Sequence, residues 1–267
     1  MAWTLCVGIG LCSGFLAGLL GVGGGTVIVP ALILAAQSLG FEGDEAASVA
    51  IATSLAIIIP TSIASACAHA AHGAIDWPAF RRLAPGIVAG ALCGRFLAAV
   101  IGGRATLALF IAFALYSIRR LVARAPVANP RRSAAPVPEA IGLSARAFAI
   151  GLLSALVGVG GALLSVPVLA RHLPMKRAIG TAAALGLPLA AAAVMGSLLA
   201  GRPGHCLDGC VGYVFLPAAW TTSLAAVATA PLGARLAHRL PVATLNKALA
   251  ALLMLVAAHL SWKLLQS

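Results

Sequence analysis

Gly14–Pro30 reads GFLAGLLGVGGGTVIVP: an apolar run, a knot of glycines at Gly21, Gly23, Gly24 and Gly25, then a second apolar run. The same plan returns at Ile150–Pro167 as IGLLSALVGVGGALLSVP. The copies align without a gap, Gly14 on Gly151, Gly21 on Gly158, Gly23 on Gly160, Gly24 on Gly161 and Pro30 on Pro167. Val22 and Val159 coincide, as do Val29 and Val166. Two such segments, each opening one half of the chain, make an internal repeat.

The composition says where this repeat lives. Of 267 residues, 61% are hydrophobic and 9% charged, where a soluble domain carries about 25% charge. The mean hydropathy is +1.05. A soluble globule cannot hide that much apolar surface, so the chain is an integral membrane protein in a lipid bilayer. The net charge of +12 does not point to nucleic acid, because the basic residues sit in short connections between apolar runs, as membrane topology requires. Few aromatics and many Ala and Gly suit close helix packing in lipid. The first residues lack a basic n-region and run straight into the motif, so they read as a retained segment. Cys6, Cys12, Cys67 and Cys93 lie in or beside apolar runs and read as small buried hydrophobes.

A full span needs about 20 apolar residues. Leu5–Leu20 and Thr26–Gln37 are each too short and read as half-helices meeting inside the membrane. An acidic connection at Phe41–Glu45 follows. Then come spans at Ala46–Ala68, Leu83–Gly102 and Ala105–Leu121, with a polar connection at His69–Arg82 and a tight turn at Gly102–Arg104. Ala123–Ser144, rich in Pro and Arg, is a flexible basic linker. The second half repeats the plan. Ala147–Val157 and Leu163–His172 flank the second knot, followed by Ala178–Ala200, Tyr213–Leu236 and Val242–Lys263. Thr181 and Pro188 match Thr53 and Pro60 at the same spacing, and Gly233 takes the place of Gly94. The expected organisation is therefore a first transmembrane repeat over 1–122, a cytoplasmic linker over 123–144 and a second repeat over 145–267.

Charge sets the topology. If each broken segment enters and leaves on one side, nearly all Lys and Arg fall inside, with Arg104, Arg202 and Lys263 outside and Arg95 embedded. A continuous-span reading divides the charges far more evenly, so the positive-inside rule favours re-entrant hairpins. With three further spans per half, the halves have opposite orientation. The expectation is an all-α, polytopic membrane protein of two inverted repeats, each one re-entrant helical hairpin plus three transmembrane helices.

Non-helical backbone survives at membrane depth only where it is buried in protein or lines a wet cavity. The helices that begin at Thr26 and Ala162 start with unpaired N–H groups and a partial positive charge. Two such starts facing each other make an anion site without formal charge. The candidate site is Gly21, Gly23, Gly24, Gly25 and Thr26 with Gly158, Gly160, Gly161 and Ala162. Thr53, Ser54 and Thr181, about two turns before the helix-bending Pro60 and Pro188, either donate to the anion or bond their own helix backbone. The series Gly10/Gly14/Gly18 and Gly86/Gly90/Gly94 serve packing. Arg95 is the one basic residue deep in a span; it either serves the anion or, as its distance from the interface favours, snorkels outward. Cys67, His69 and His72 lack further converging ligands, so no metal is expected, and no cofactor or catalytic constellation stands out. Cys206 and Cys210, near His205, are either a disulfide or two thiols.

The chain resembles the TauE/SafE family of sulfite exporters and related bacterial permeases. The likeness rests on GLLGVGGGTVIVPAL (Gly18–Leu32) and LVGVGGALLSVPVL (Leu156–Leu169). AIATSL (Ala50–Leu55), AIGTAA (Ala178–Ala183), HGAIDW (His72–Trp77) and LGARLAHRLP (Leu232–Pro241) support it. It covers nearly the whole chain outside the linker. It implies a multi-pass permease of the bacterial cytoplasmic membrane that moves sulfite, sulfoacetate or a related organosulfonate, and not an enzyme. The second reading is a membrane accessory protein for assembly of a metal or redox enzyme. A homodimer is left open. Ala162 stands where the first copy has Gly25, so the two half-sites are unequal.

Overall fold

The computed structural model describes residues 2–20, 25–41, 43–122, 140–201, 209–237 and, apart from 252 and 256, 250–262. The elements run α1 (Ala2–Leu20), α2 (Gly25–Ser38), α3 (Gly43–Ala71), α4 (Trp77–Val122), α5 (Ala140–Val157), α6 (Ala162–Leu169), α7 (Met175–Leu199), β1 (Cys210–Val211), β2 (Val214–Phe215) and α8 (Leu216–Ala237). A further apolar helical stretch covers Leu253–Trp262. Glu45–Ala71, Trp77–Arg119 and Met175–Leu199 are long and apolar enough to cross a membrane. The protein is mostly helical, as a membrane chain must be when lipid offers no partner for its backbone. A two-stranded antiparallel hairpin, β1 with β2, is the departure from the all-α expectation. α5 begins at Ala140, inside the stretch read as linker.

Local chemistry sets the helix bounds. Asp44 and Glu45 fall in the first turn of α3, where the helix dipole favours negative charge. The Asp76 carboxylate accepts the Ala79 N–H at 2.9 Å and so caps α4, with Pro78 in its first turn. α4 has 46 residues, more than twice the length of one span. It leaves helical geometry once, at Gly102 (φ 81, ψ 171), so it is two helical arms meeting at the turn expected there. In α3, Pro60 removes a backbone donor, and the hydroxyl of the next residue, Thr61, lies 3.1 Å from the carbonyls of Ile57 and Ile58 in the preceding turn.

α3 and α7 pack on each other and form the most buried part of the molecule, with Ile51, Leu55, Ile57, Ile58, Leu185 and Leu189 almost wholly enclosed. α5 lies along α4, and α1 lies along α8. Glycine makes both approaches possible. A Cβ built on Gly10 would stand 2.6 Å from the Thr222 carbonyl oxygen, and one on Gly94 would stand 2.6 Å from that of Leu152. Gly14 meets the Ala226 backbone in α8, and Gly151 meets the Ile87 backbone in α4. The outward faces carry large apolar side chains such as Val100, Trp220 and Leu224, respectively 84%, 66% and 69% exposed. These are the surfaces that lipid covers.

Two of the long-range hydrogen bonds between the halves form a matched pair. The Phe215 N–H, just before α8, donates to the Thr53 hydroxyl at 3.0 Å. The Asp76 N–H, just before α4, donates to the Thr181 hydroxyl at 2.9 Å. Each threonine thus receives an amide from the start of a helix in the other half. Thr181→Val leaves a semi-buried amide without its acceptor. The expected loss is about 1–3 kcal/mol, read as a lowered thermal midpoint of the purified protein. An unchanged midpoint would mean that the bond contributes nothing. The same two junctions bring together Asp76 and Arg177 (3.9 Å) on one side, and the rings of Phe41 and Phe215 (5.9 Å between centroids, edge to face) on the other.

Candidate functional site

The second glycine knot is a true chain break. α5 ends where the Gly158 and Val159 amides both donate to the Ser154 carbonyl, at 2.9 and 3.0 Å. Gly158 takes φ +76, the left-handed cap that glycine favours. Gly161 takes φ +67 and precedes α6. Two tight turns fill the interval, from the Gly161 amide to the Val159 carbonyl and from the Ala162 amide to the Gly160 carbonyl, both 2.8 Å. The Leu164 and Ser165 amides then bond the Gly161 carbonyl. That leaves the amides of Gly160 and Leu163, which have no acceptor among the described residues.

Serine hydroxyls lie close to the break. Ser154 is 2% exposed, and its Oγ is buried with no hydrogen-bond partner. A Cβ built on Gly161 would lie 3.4 Å from Ser154 Oγ, 3.9 Å from Ser165 Oγ and 2.7 Å from Leu189 Cδ1. A Cβ on Gly186 of α7 would lie 2.8 Å from Ser62 Oγ and 3.5 Å from the Gly160 carbonyl oxygen. The Ser54 hydroxyl reaches the carbonyls of Gly158 (2.9 Å) and Ile51 (2.7 Å), so it braces the break from α3. Among the described residues no charged side chain takes part.

The first motif arrives at the same place. Gly21, Gly23 and Gly24 lie outside the described residues, but Gly25 opens α2. A Cβ on Gly25 would stand 2.9 Å from the Gly158 carbonyl oxygen, 3.0 Å from Val159 Cα and 3.1 Å from Ile58 Cδ1. The two glycine motifs therefore touch, with buried Thr26 directly behind Gly25. Of the other expected site residues, Gly160, Gly161 and Ala162 line the break. Ser54 touches it, while Thr53 and Thr181 spend their hydroxyl oxygens on the amides of Phe215 and Asp76. Gly158–Ala162 are all buried, so the break is closed off in this conformation.

Ser62, Ser154 and Ser165 were not among the residues expected from sequence. The signal was present for two of them: Ser154 and Ser165 replace Ala17 and Ile28 of the first copy, in a run that is otherwise apolar. Arg95 corrects an expectation. It does not snorkel outward but is 2% exposed, because Gly196 leaves room for its stem and Ser197 offers its Nε a partner at 2.8 Å. Among the described residues no three His, Cys, Asp or Glu gather as a metal site. The pairing of Cys210 with Cys206 falls outside them, since Cys206 is not described.

Where the described parts of the two motifs touch, the chain presents buried amides and hydroxyls in an otherwise apolar surrounding. Known proteins place the chain among membrane transporters. Over 263 residues the chain is 33% identical to a probable membrane transporter protein of Haemophilus influenzae, spanning 97% of this chain and 98% of that one. It is 27% identical to the probable membrane transporter protein YunE of Bacillus subtilis, over 82% of this chain and 85% of YunE. It is 25% identical to the probable membrane transporter protein MJ0441 of Methanocaldococcus jannaschii, over 88% and 86%. No solved structure gives a significant match. The model of one family, described as sulfite exporter TauE/SafE, matches residues 6–260, both glycine motifs included, and the chain belongs to that family of membrane transporters.

Proposed function

We propose that this transporter moves a small sulfur-containing oxyanion, such as sulfite, sulfoacetate or a related organosulfonate, across the bacterial cytoplasmic membrane. The substrate binds where the two glycine motifs meet. The observation that carries this reading is the contact of Gly25 with Gly158 and Val159, beside the unaccepted amides of Gly160 and Leu163 and the unpartnered Ser154 hydroxyl. Amide and hydroxyl donors in a water-poor site hold anionic oxygens by charge-assisted hydrogen bonds. Sulfur in the substrate follows from the family's name.

The two halves are inverted repeats that rock against each other and open the break alternately to each side. Three observations support the inversion. α1 lies on α8 as α5 lies on α4. Thr53 receives the Phe215 amide as Thr181 receives that of Asp76. The Asp76–Arg177 and Phe41–Phe215 contacts each join connections that re-entrant hairpins would put on the same side. Closure of the break in the present conformation fits an occluded state of such a cycle.

Uptake into proteoliposomes tests the proposal, with sulfite, sulfoacetate and a carboxylate of similar size as probes. The wild-type protein should accumulate at least one sulfur anion above protein-free vesicles. Ser154→Ala should raise its KM about tenfold or more, the effect of losing one hydrogen bond to a charged group. Transport of the carboxylate alone would overturn the substrate class. An unaltered KM in the alanine variant would remove Ser154 from the site.

A further inference from the structure

Arg95 is the largest fully buried side chain among the described residues, and none of them supplies a counterion. Its Nε donates to Ser197 Oγ at 2.8 Å. That hydroxyl donates in turn to the Ala193 carbonyl at 2.8 Å, so the serine is fixed as the acceptor. The Arg95 Nη1 is buried and has no hydrogen-bond partner. Among the described residues no carboxylate comes within ion-pair distance of the guanidinium. Gly196 packs against the Arg95 stem, where a built Cβ would stand 2.8 Å from Arg95 Cβ. The hairpin turn at Gly212 and Tyr213 lies alongside, where a Cβ built on Gly212 would stand 2.7 Å from the Ser197 carbonyl oxygen.

A guanidinium cannot escape burial by losing its proton. A buried cation without a partner is strongly unfavourable in a protein interior and more so in a membrane. Packing explains where Arg95 is, since Gly196 makes the space. It does not explain why two N–H groups of a cation are left unanswered. Among the described residues nothing answers this charge, and an anion would.

We propose that Arg95, pinned by Ser197, is a second anion-binding station that takes a small oxyanion on Nη1, between α4, α7 and the turn at Tyr213. Its position relative to the break can be read along α7. Leu189 covers Gly161 and Ser197 holds Arg95, a separation of about 12 Å at 1.5 Å of rise per residue. On the α5 side, Gly94 next to Arg95 packs on Leu152 and Ala155, in the last turns before Gly158. The station thus lies in series with the glycine break, on the side of the β-hairpin. Its role as a waypoint rests on the anion-transport reading, whereas binding at Arg95 does not. The break offers neutral donors and no fixed charge. Arg95 supplies the one charge, at a distance, so that it attracts the anion without trapping it at the point of translocation.

Thermal unfolding of the purified full-length protein in detergent tests this, with sodium sulfite as the probe and sodium chloride at matched ionic strength as the control. Sulfite should raise the midpoint of the wild type by binding the folded state. Arg95→Gln should unfold no earlier than wild type without sulfite, because it removes an uncompensated charge. It should also weaken the apparent sulfite affinity about ten- to a hundredfold. Ser197→Ala keeps the charge but frees the guanidinium, and should weaken affinity several-fold in an intact fold. Gly161→Leu, which blocks the break, should keep an Arg95-dependent shift.

A wild type indifferent to sulfite overturns the proposal. So does an Arg95→Gln variant that binds as wild type does, or one whose midpoint falls equally with and without sulfite, which would make Arg95 a structural tie. Affinity unchanged in Ser197→Ala would overturn the pinned geometry. If sulfite stabilises through Arg95 while no sulfur anion is transported, the station stands and the assigned cargo falls.

Discussion

Gly161→Leu should abolish transport while the protein still inserts in the membrane. Gly161 has φ +67, a conformation that costs an ordinary L-residue roughly 1–2 kcal/mol. Its first added carbon would lie 2.7 Å from Leu189 Cδ1 and 3.4 Å from Ser154 Oγ. A leucine must therefore push into the hydroxyl-lined space that the substrate is proposed to use, with an overpacking penalty of about 1–3 kcal/mol. Strain and obstruction act at the same point, so we expect a fall in uptake rate of about a hundredfold or more, since every 1.4 kcal/mol in a barrier is about tenfold. Proteoliposomes with matched protein content, checked by the thermal midpoint, measure it. Gly25→Leu, whose added carbon would stand 2.9 Å from the Gly158 carbonyl, should behave alike. Wild-type uptake in both variants would take the break out of the transport path.

The second large effect is on stability. In Gly90→Leu the added carbon collides with the Phe148 carbonyl and would lie 2.9 Å from the Leu152 amide nitrogen. Both obstacles are backbone atoms of α5 and neither can rotate away. The α4–α5 interface must separate, and apart from any break in the hydrogen-bonded ladder this forfeits the close packing that holds membrane helices together. We expect a loss of about 3 kcal/mol or more, at the severe end for overpacking, seen as a greatly lowered midpoint or failure to accumulate. Gly8→Ala is the contrast. An added methyl there meets nothing within 4 Å, and alanine is about 0.8–1 kcal/mol better than glycine within a helix, so the variant should be neutral or slightly stabilised. Equal behaviour of the two variants would show that glycine at Gly90 is not what sets the helix distance.

The membrane class, the helix interruption at the second glycine knot, the spans near Pro60 and Pro188 and the turn at Gly102 were all legible in the chain. Each depends on local properties: apolar run length, glycine clustering, proline position. Gly10 and Gly14, Gly86, Gly90 and Gly94 were also legible as packing positions, because close contact demands a residue without a side chain whatever the partner is. Thr53 and Thr181 were legible only as equivalents of each other. Their partners, the Phe215 and Asp76 amides, lie more than a hundred residues away, and nothing in the threonine's own neighbourhood names them. The hairpin of Cys210–Val211 with Val214–Phe215 was not legible, since two-residue strands leave no alternation to detect.

What the chain settles by itself is that it lives in lipid and breaks its backbone at Gly158–Gly161, because hydrophobic run length and a missing Cβ act within a few residues. What only the folded molecule settles is the company each feature keeps: Gly25 against Gly158, Ser154 with no partner in the break, Arg95 turned inward beside Ser197. Counting residues to an interface sent Arg95 outward. The small Gly196 and the acceptor on Ser197 brought it in, because the position of a charge is decided by the space and partners that neighbouring helices provide.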